Sequence, residues 1–310
     1  MKIRSITRLL RAIPDPERRQ TQLDAMLVKS VDLPLDWSLF FALVEAGANV
    51  NCCYEEKTLS YKTPFLKVIE TGHLPLVQIC IAHGAVLNGL VHEYADSPVF
   101  VAAKHDHADV LTYLLEQRCD PSVTKNELSG PVNALHIAVR NDAFDAVSVL
   151  LDHGLDVNQQ YQNGRGLSYS PLHFVCSAKM VRFLVDNYDA SVDLDSEYGT
   201  AIHTVIGWDG DVFNELLLQG ADPHYSCNGV TVATKLQWKL LDLYPKIDKI
   251  LKENPLSSHS ENNLRNHFKQ YSRYEQQLRF LAAREVKPES DLKLVGRYVD
   301  NECYNQVCAE

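Results

Sequence analysis

The sequence has no long apolar run, and this absence excludes several classes of protein. No stretch of about 18 consecutive apolar residues occurs, so we expect no membrane-spanning helix. Residues 1–19 also lack the apolar core of a secretory signal. This segment is rich in arginine and has no acid before Asp15. It predicts a basic first helix that ends near Pro14, with a transit peptide as the alternative.

Paired cysteine motifs are missing as well. The eight cysteines are scattered without a C-x-x-C pair, and no zinc-ligand spacing surrounds Cys52 and Cys53. Cys80 and Cys176 fall within apolar helical runs, where cysteine usually packs as a small apolar residue. We therefore expect no metal site and a reducing, intracellular location. The cytoplasm is the expected compartment, with the nucleus or the host cytosol of a secreted effector as alternatives.

Positive charge is scarce. The chain carries 30 Lys and Arg against 40 Asp and Glu, so its net charge is −10 and its isoelectric point is near 5.6. A general nucleic-acid binder would need a basic surface, and we therefore expect no nucleic-acid partner. The charge is uneven along the chain. Residues 1–19 and 261–287 are basic, whereas residues 20–260 and 288–310 are acidic.

The sequence also lacks a catalytic constellation. Glycine-rich residues 163–170 have neither a G-x-x-x-x-G-K motif nor a strand before them, so they do not predict a phosphate-binding loop. We predict no catalytic residue, no metal and no cofactor. The remaining enzymatic alternative is a thiol enzyme that pairs Cys303 or Cys308 with His259 or His267.

What the chain does contain is a short motif that recurs at spacings of 34, 36, 37 and 30 residues. A Ser, Thr or Asn is followed by Pro or Ala at Thr63-Pro64, Ser97-Pro98, Asn133-Ala134, Ser170-Pro171 and Thr200-Ala201. A hydroxyl or amide oxygen accepts hydrogen bonds from the first N–H groups of a helix, and proline at the first position has no N–H to satisfy. Each copy therefore predicts the start of a helix.

A second apolar segment follows each helix start. Its apolar residues recur three and four positions apart, as in AVSVLLDHGL and VFNELLLQGA, which predicts a helix with one buried face. Gly84, Gly154 and Gly220 stand at the ends of three such segments, because glycine adopts the left-handed conformation at least cost. Arg118 occupies that position in another copy.

This pattern resembles the ankyrin repeat, in which TPLHxA precedes LLxxGADxN with a period of about 33 residues. NALHIAV with LLDHGLDVN, within residues 133–158, is the best copy, and SPLHFVC and LLLQGADPH are close. The resemblance covers roughly residues 34–232. It implies an all-α solenoid of about five to six helix-turn-helix repeats with β-turn fingers. We expect an N-terminal helical cap in residues 1–33, repeats in residues 34–241 and a C-terminal helical extension in residues 242–310.

Some stretches depart from the repeat. The turn after Cys176 is short, and residues 186–193 lack the glycine, which predicts a distorted unit. Pro245 and Pro255 are expected to interrupt the helical pattern beyond the last repeat. Residues 261–286 predict one amphipathic helix with many basic residues. This helix has three alternative roles: a cap on the last repeat, a contact for a partner or an acidic lipid surface, or a cover that folds over the groove.

Three histidines occupy one position of the repeat. His136, His173 and His203 each follow the Pro or Ala of the helix start by two residues. In ankyrin repeats the histidine at this position ties loops together by hydrogen bonds. The resemblance therefore implies structural histidines, and not a metal or catalytic set.

Tyrosine is concentrated in the predicted loops between repeats. Its ring offers a broad apolar face with a polar tip, a combination that is frequent at binding hot spots. Ankyrin proteins commonly bind through these fingers and through the concave face of the first helices. Some of the rings are expected to pack between fingers instead. The residues predicted to contact a partner are Trp208, Tyr61, Tyr94, Tyr161, Tyr169, Tyr198, Glu93 and Glu197.

These patterns predict a non-enzymatic scaffold or adaptor for protein–protein interaction. Acidic and aromatic fingers favour a partner protein with a basic or extended segment. An adaptor or bacterial-type effector, with its activity in the C-terminal extension, is the alternative. Asn158 also resembles the finger asparagine that asparaginyl hydroxylases modify in ankyrin proteins, and it is a candidate modification site.

Overall fold

The computed structural model describes residues 13–32, 37–55, 61–88, 96–127, 130–162, 168–196, 199–207, 210–251 and 258–284. The chain divides into two compact units, residues 1–156 and 157–310. Both contain short helices and two-stranded antiparallel hairpins, and the second unit also has two long helices at its end. Over these described ranges, none of the helices combines the length and the apolar character needed to cross a membrane.

The first unit begins with two helices, α1 (Pro16–Asp32) and α2 (Trp37–Glu45). The elements that follow in chain order are β1 (Tyr54–Glu55), β2 (Tyr61–Lys62), α3 (Pro64–Glu70), α4 (Leu74–Ala82), α5 (Pro98–Lys104), α6 (Ala108–Glu116), β3 (Lys125–Glu127), β4 (Gly130–Val132), α7 (Ala134–Arg140) and α8 (Phe144–Asp152).

The second unit begins with a hairpin and a single turn of 3-10 helix. Its elements in chain order are β5 (Tyr161–Gln162), β6 (Ser168–Tyr169), the 3-10 turn (Pro171–Phe174), α9 (Ala178–Tyr188), α10 (Ala201–Thr204), α11 (Gly210–Leu218), β7 (Ser226–Cys227), β8 (Val230–Thr231), α12 (Val232–Leu251) and α13 (Ser258–Ala282).

Three of the five predicted helix starts, at Thr63, Ser97 and Asn133, are confirmed with their caps. Ser170 precedes a 3-10 turn instead of an α-helix, and Thr200 precedes α10 without a side-chain cap. Thr63 Oγ1 accepts a hydrogen bond of 3.2 Å from the N–H of Leu66, and Ser97 Oγ accepts one of the same length from the N–H of Phe100. The Asn133 side chain caps α7 in the same way. Each cap satisfies an N–H group that has no partner within its own helix.

The predicted helix ends are confirmed too. Gly84, Gly154 and Gly220 have φ angles of +83°, +90° and +92°. Arg118, which replaces the glycine in one copy, adopts the same left-handed conformation with a φ of +63°. The left-handed conformation brings the Cβ of a residue other than glycine close to the backbone, so Arg118 adopts it at a steric cost.

The core of the first unit is built by successive helix pairs. The first helices α3, α5 and α7 pack side by side, and so do the second helices α4, α6 and α8. Phe65, Leu111, Leu135 and Leu150 are fully buried between them. Each such side chain stabilises the fold by about 1.5–3 kcal/mol relative to exposure. The helix α1 packs against α2 and α3, so it contacts the first repeat directly.

The distorted unit predicted near residues 176–193 is confirmed. A 3-10 turn stands where the other repeats have a first helix, and Ser177 Oγ then caps α9 by accepting from the N–H of Met180 at 3.1 Å. Asp189 ends α9 in the left-handed conformation with a φ of +55°. The short turn after Cys176 leaves too few residues for a longer first helix.

The expected interruption at Pro245 is wrong, because α12 runs without a break from Val232 to Leu251. A proline inside a helix lacks an N–H and its ring clashes with the carbonyl of the residue four positions earlier. Pro245 and Leu241 both lie on the exposed side of α12, where water can satisfy the freed carbonyl. The expected boundary between residues 241 and 242 therefore falls within this helix, and Pro255 lies outside the described residues.

The helix predicted at residues 261–286 is α13. It packs against α11 and α12 and buries Leu264 and Leu281, whereas Arg265, Lys269 and Arg273 are exposed. Among the three alternative roles, these contacts agree with a cap on the second unit.

Candidate partner-binding site

The predicted fingers are short antiparallel hairpins. In the first, Tyr54 pairs with Lys62 and Glu55 pairs with Tyr61. In the hairpin β5–β6, Tyr161 stands directly opposite Tyr169. The backbones of the predicted contact residues Tyr61, Tyr161 and Tyr169 therefore belong to the fingers. The side chains of Tyr61 and Tyr161 lie outside the described residues.

Tyr169 is a predicted contact residue whose surroundings the structure describes. Its ring is half-buried and meets His173 and Phe174 edge-on, with ring centroids 5.5 and 5.7 Å apart. Edge-to-face contacts of this kind stabilise a fold beyond the burial of area. Tyr169 thus packs within its own repeat, as expected for some of the rings, and its role in partner binding stays a prediction.

The other predicted contact residues lie outside the described residues. They are Trp208, Tyr94, Tyr198, Glu93 and Glu197.

The helix α13 contacts Gly207, the residue that precedes the predicted contact residue Trp208. The N–H of Gly207 donates to Gln277 Oε1 at 3.1 Å. Gly207 has a φ of +82°, and a Cβ at this position would lie only 2.3 Å from the ring of Tyr274. The chain that leads into residue 208 is therefore packed tightly against the C-terminal helix.

Neighbouring fingers are tied together by asparagine side chains, a feature that the sequence did not reveal. Asn51 Nδ2 donates to the carbonyl of Gly84 at 2.8 Å, and Asn51 Oδ1 accepts from the N–H of Val86 at 2.9 Å. Asn88 repeats this arrangement with the carbonyl of Arg118 and the N–H of Asp120, at 3.0 and 2.9 Å. Each amide thus joins one finger base to the helix end of the next repeat.

The candidate modification site Asn158 makes the same kind of bridge in the second unit. Its Oδ1 accepts from the N–H of Ser191 at 2.8 Å, and its Nδ2 donates to the carbonyl of Asp189 at 3.4 Å. Asn51, Asn88 and Asn158 occur at one repeat position, and this periodicity is the signal in the sequence that could have identified the bridges. Modification of Asn158 stays a prediction.

The histidines are structural, as expected. His173 Nε2 lies 3.1 Å from the carbonyl of Gly199, and its Nδ1 lies 2.8 Å from Ser170 Oγ. His136 Nδ1 lies 2.6 Å from Asn133 Oδ1 within the capping arrangement of α7. Both rings are buried, and His173 connects its helix start to the neighbouring loop at Gly199, so they are poorly placed to take part in chemistry at the surface.

The third of these histidines, His203, lies beside a lysine. Its side chain is buried, its Nδ1 lies 3.1 Å from Thr200 Oγ1, and Lys235 donates to its backbone carbonyl at 3.2 Å. Burial, and next the charge of Lys235, lowers the pKa of His203 to about 4. The ring is therefore neutral at physiological pH.

Two acids of the fingers have partners within the fold. Asp96 forms an ion pair with Lys125 of the next hairpin. The Tyr225 hydroxyl donates a hydrogen bond to Asp195, which raises the pKa of Tyr225 to about 12. The charge of Asp96 is therefore already compensated, and a basic partner would depend on other finger acids.

Thiol chemistry finds little support in the described cysteines. Burial raises the pKa of Cys80 to about 12 and that of Cys119 to about 11. Burial is also the main reason why the pKa of Cys52 is raised to about 12. Such thiols stay protonated at neutral pH and react slowly. Cys303 and Cys308 lie outside the described residues. Among the residues that the structure describes, no group of three or more His, Cys, Asp or Glu side chains could hold a metal ion.

Comparison with known families shows an extended match. The sequence pattern of ankyrin repeats, in three copies, matches residues 36–125 and 135–227. The chain is similar in fold to the crystal structure of the human ASB11 ankyrin repeat domain, with a TM-score of 0.52 at 19 % identity. That likeness covers 67 % of this chain and 90 % of the other. The expected all-α ankyrin fold is confirmed.

Two curated proteins are similar over shorter segments. The chain is 30 % identical over 132 residues to alpha-latrocrustotoxin-Lt1a of Latrodectus tredecimguttatus, which covers 42 % of this chain and 9 % of the toxin. It is 30 % identical over 128 residues to ankyrin repeat and SOCS box protein 14 of Homo sapiens. This match covers 36 % of this chain and 21 % of the human protein. The chain thus spans only a small part of the length of these relatives.

Proposed function

The chain belongs to the ankyrin-repeat family, and from this premise we propose that it is a non-enzymatic scaffold or adaptor that binds a partner protein through its fingers and the adjoining groove. Repeats of this family are generally protein–protein interaction modules. The partner carries a basic or extended segment. The proposed setting is intracellular, in keeping with the absence of a paired cysteine motif in the sequence.

The observation that carries this proposal is the set of asparagine bridges between fingers. Asn51 and Asn88 each use both the donor and the acceptor of one amide to hold the backbone of the next repeat. A surface held in this way loses little conformational entropy when a partner binds. The bridges therefore support a preformed binding surface along the fingers of the first unit. Asn158 makes the corresponding bridge within the second unit.

The experiment is an affinity capture with the triple variant Trp208→Ala, Tyr161→Ala, Tyr198→Ala, with proteins quantified by mass spectrometry against wild type. We expect the recovered partner to fall about tenfold or more, because truncating aromatic anchors usually costs over 1 kcal/mol each. The melting temperature should change little. The control variant Leu218→Ala removes a side chain that is 65 % exposed on α11 and lies outside the fingers. Normal capture by the triple variant would refute the proposal.

A second candidate is an adaptor whose output depends on the C-terminal extension. It is favoured by the human relative, whose name joins ankyrin repeats to a further element, a SOCS box. A test of this candidate by truncation must leave α13 in place, because its side chains are part of the core of the second unit. Removing residues 255–310 would strip Leu264 and Leu281 from the core of the second unit, so the deletion should begin after Arg284. This candidate predicts that the truncated protein still captures its partner and loses its cellular output.

A further inference from the structure

An apolar face of α12 is exposed in the second unit. Trp238 is 54 % exposed, Leu241 is 44 % exposed and Tyr244 is 37 % exposed. These side chains follow one another at intervals of three residues, so they lie along one side of the helix. The opposite side is buried, with Leu236 and Leu240 in the core. Contiguous exposed apolar side chains of this size are typical of interaction sites.

A cavity of about 440 Å³ opens beside Trp238. Its walls are mostly apolar, and its volume lies in the range of clefts that bind ligands. Besides Trp238, the residues that line it include His203, Cys227, Val230, Lys235, Lys239 and Asp242.

The charges around this cavity do not cancel. Lys235 is half-buried and donates to the carbonyl of His203 at 3.2 Å. Lys239 is exposed and forms no ion pair with any residue that the structure describes. Asp242, the acid of the cavity, is paired with Lys246 at 2.7 Å. Two lysine charges therefore remain available in a chain whose net charge is −10.

We propose that this face of α12, together with the cavity beside Trp238, binds an acidic peptide segment that carries a large apolar side chain. The apolar side chain enters the cavity against the indole, and a neighbouring carboxylate of the peptide pairs with Lys239. A charged hydrogen bond at the rim adds specificity and increases the association rate. This partner is distinct from the basic segment proposed for the fingers, so the two surfaces can be tested separately.

Two features favour a peptide segment as the occupant. The face from Trp238 to Tyr244 extends for about 9 Å along the helix axis, which suits several consecutive residues of a peptide. A second copy of this chain is disfavoured, because a two-fold contact places the same patch on both subunits. It would bring Lys235 and Lys239 of both copies together, whereas Asp242, the acid of the cavity, is already paired with Lys246.

The test uses the full-length protein and two fluorescein-labelled peptides in a fluorescence anisotropy titration. One peptide has ten residues with four glutamates around two leucines and a phenylalanine, and the other replaces the glutamates with lysines. We expect only the acidic peptide to bind. Trp238→Ala should weaken its affinity about tenfold, and Lys239→Glu by a similar factor. Bound peptide should also protect Cys227 from alkylation, mapped by mass spectrometry.

Matched controls separate the site from general effects. Lys249→Glu makes the same charge change on an exposed residue of α12 outside the cavity, and Leu218→Ala removes an exposed apolar side chain from α11. Neither should change the affinity. Circular dichroism should show that all four variants fold, because the substituted residues are exposed.

Three results would overturn the proposal. Equal binding of the lysine peptide would show that charge does not select the partner. Unchanged affinity in Trp238→Ala and Lys239→Glu would place the peptide elsewhere. A protein dimer that dissociates in Trp238→Ala, seen by sedimentation, would show that a second copy covers this face. The finger proposal would survive each of these results, because its triple variant leaves α12 intact.

Discussion

Replacing Gly207 by alanine tests whether α13 packs tightly against the turn at Gly207. An alanine at a φ of +82° adopts a left-handed backbone, which costs about 1–2 kcal/mol. Its Cβ would also lie 2.3 Å from Tyr274 Cε1, so the ring must move. That movement endangers the 3.1 Å hydrogen bond from the N–H of Gly207 to Gln277 Oε1, worth about 1 kcal/mol. We expect a total loss of about 2–3 kcal/mol in the free energy of unfolding.

The assay is urea unfolding followed by circular dichroism, with limited proteolysis to follow the release of α13. Gly220→Ala is the matched control, because Gly220 has a φ of +92° and nothing lies within 4 Å of the added Cβ. It should show the backbone cost of about 1–2 kcal/mol alone. Combining Gly207→Ala with Tyr274→Ala should cost less than the sum of the single changes, since the steric contact is then absent.

Equal losses for Gly207→Ala and Gly220→Ala, or additive losses in the double variant, would refute this reasoning. Residue 207 would then be free of α13, and the basic helix would have to be regarded again as a helix available to a partner.

The remaining predictions concern the repeats themselves. Lowering the pH from 6.5 towards 4 should reduce the free energy of unfolding by on the order of 2 kcal/mol, because the lowered pKa of His203 makes the unfolded state bind more protons in this window. His203→Gln should flatten that part of the pH profile, and an unchanged profile would contradict the assignment. Asn51→Ala should cost about 1 kcal/mol and speed hydrogen exchange at the amide of Val86, whereas unchanged exchange would show that the bridge is not formed in solution. Thr63→Ala should cost about 1 kcal/mol in urea unfolding, and Thr63→Ser should restore most of it, because serine also provides the capping oxygen.

Several features of the fold could be predicted because their causes are local. The start of α3 depends on the Thr63 oxygen and on Pro64, which are adjacent in the chain. The ends at Gly84 and Arg118 depend on a single left-handed residue each. The recurrence of these signals also indicated the ankyrin repeat, and the irregular residues around Cys176 indicated the unit that departs from it. Local sequence and backbone geometry were sufficient for these conclusions.

The candidate binding surfaces were harder to predict, because they depend on which side of a helix becomes buried. Pro245 was expected to break a helix, yet it is accommodated on the exposed side of α12. The partner contact predicted for Tyr169 is still untested, but its ring packs against His173 and Phe174 of its own repeat. Nothing in the local sequence distinguishes a ring that packs inward from one that faces a partner.

The sequence by itself determined the repeat and its helix caps, since each follows from residues that are close together in the chain. The structural role of the histidines was implied by the resemblance to ankyrin repeats. Tertiary structure alone decided that Asn51 bridges to Gly84, that Gln277 holds Gly207 and that Trp238 is left exposed beside two lysines. The physical reason is that the first two contacts join residues 33 and 70 positions apart, and that the exposure of Trp238 depends on which side of α12 is packed. Their geometry depends on how the helices pack, which no local pattern specifies.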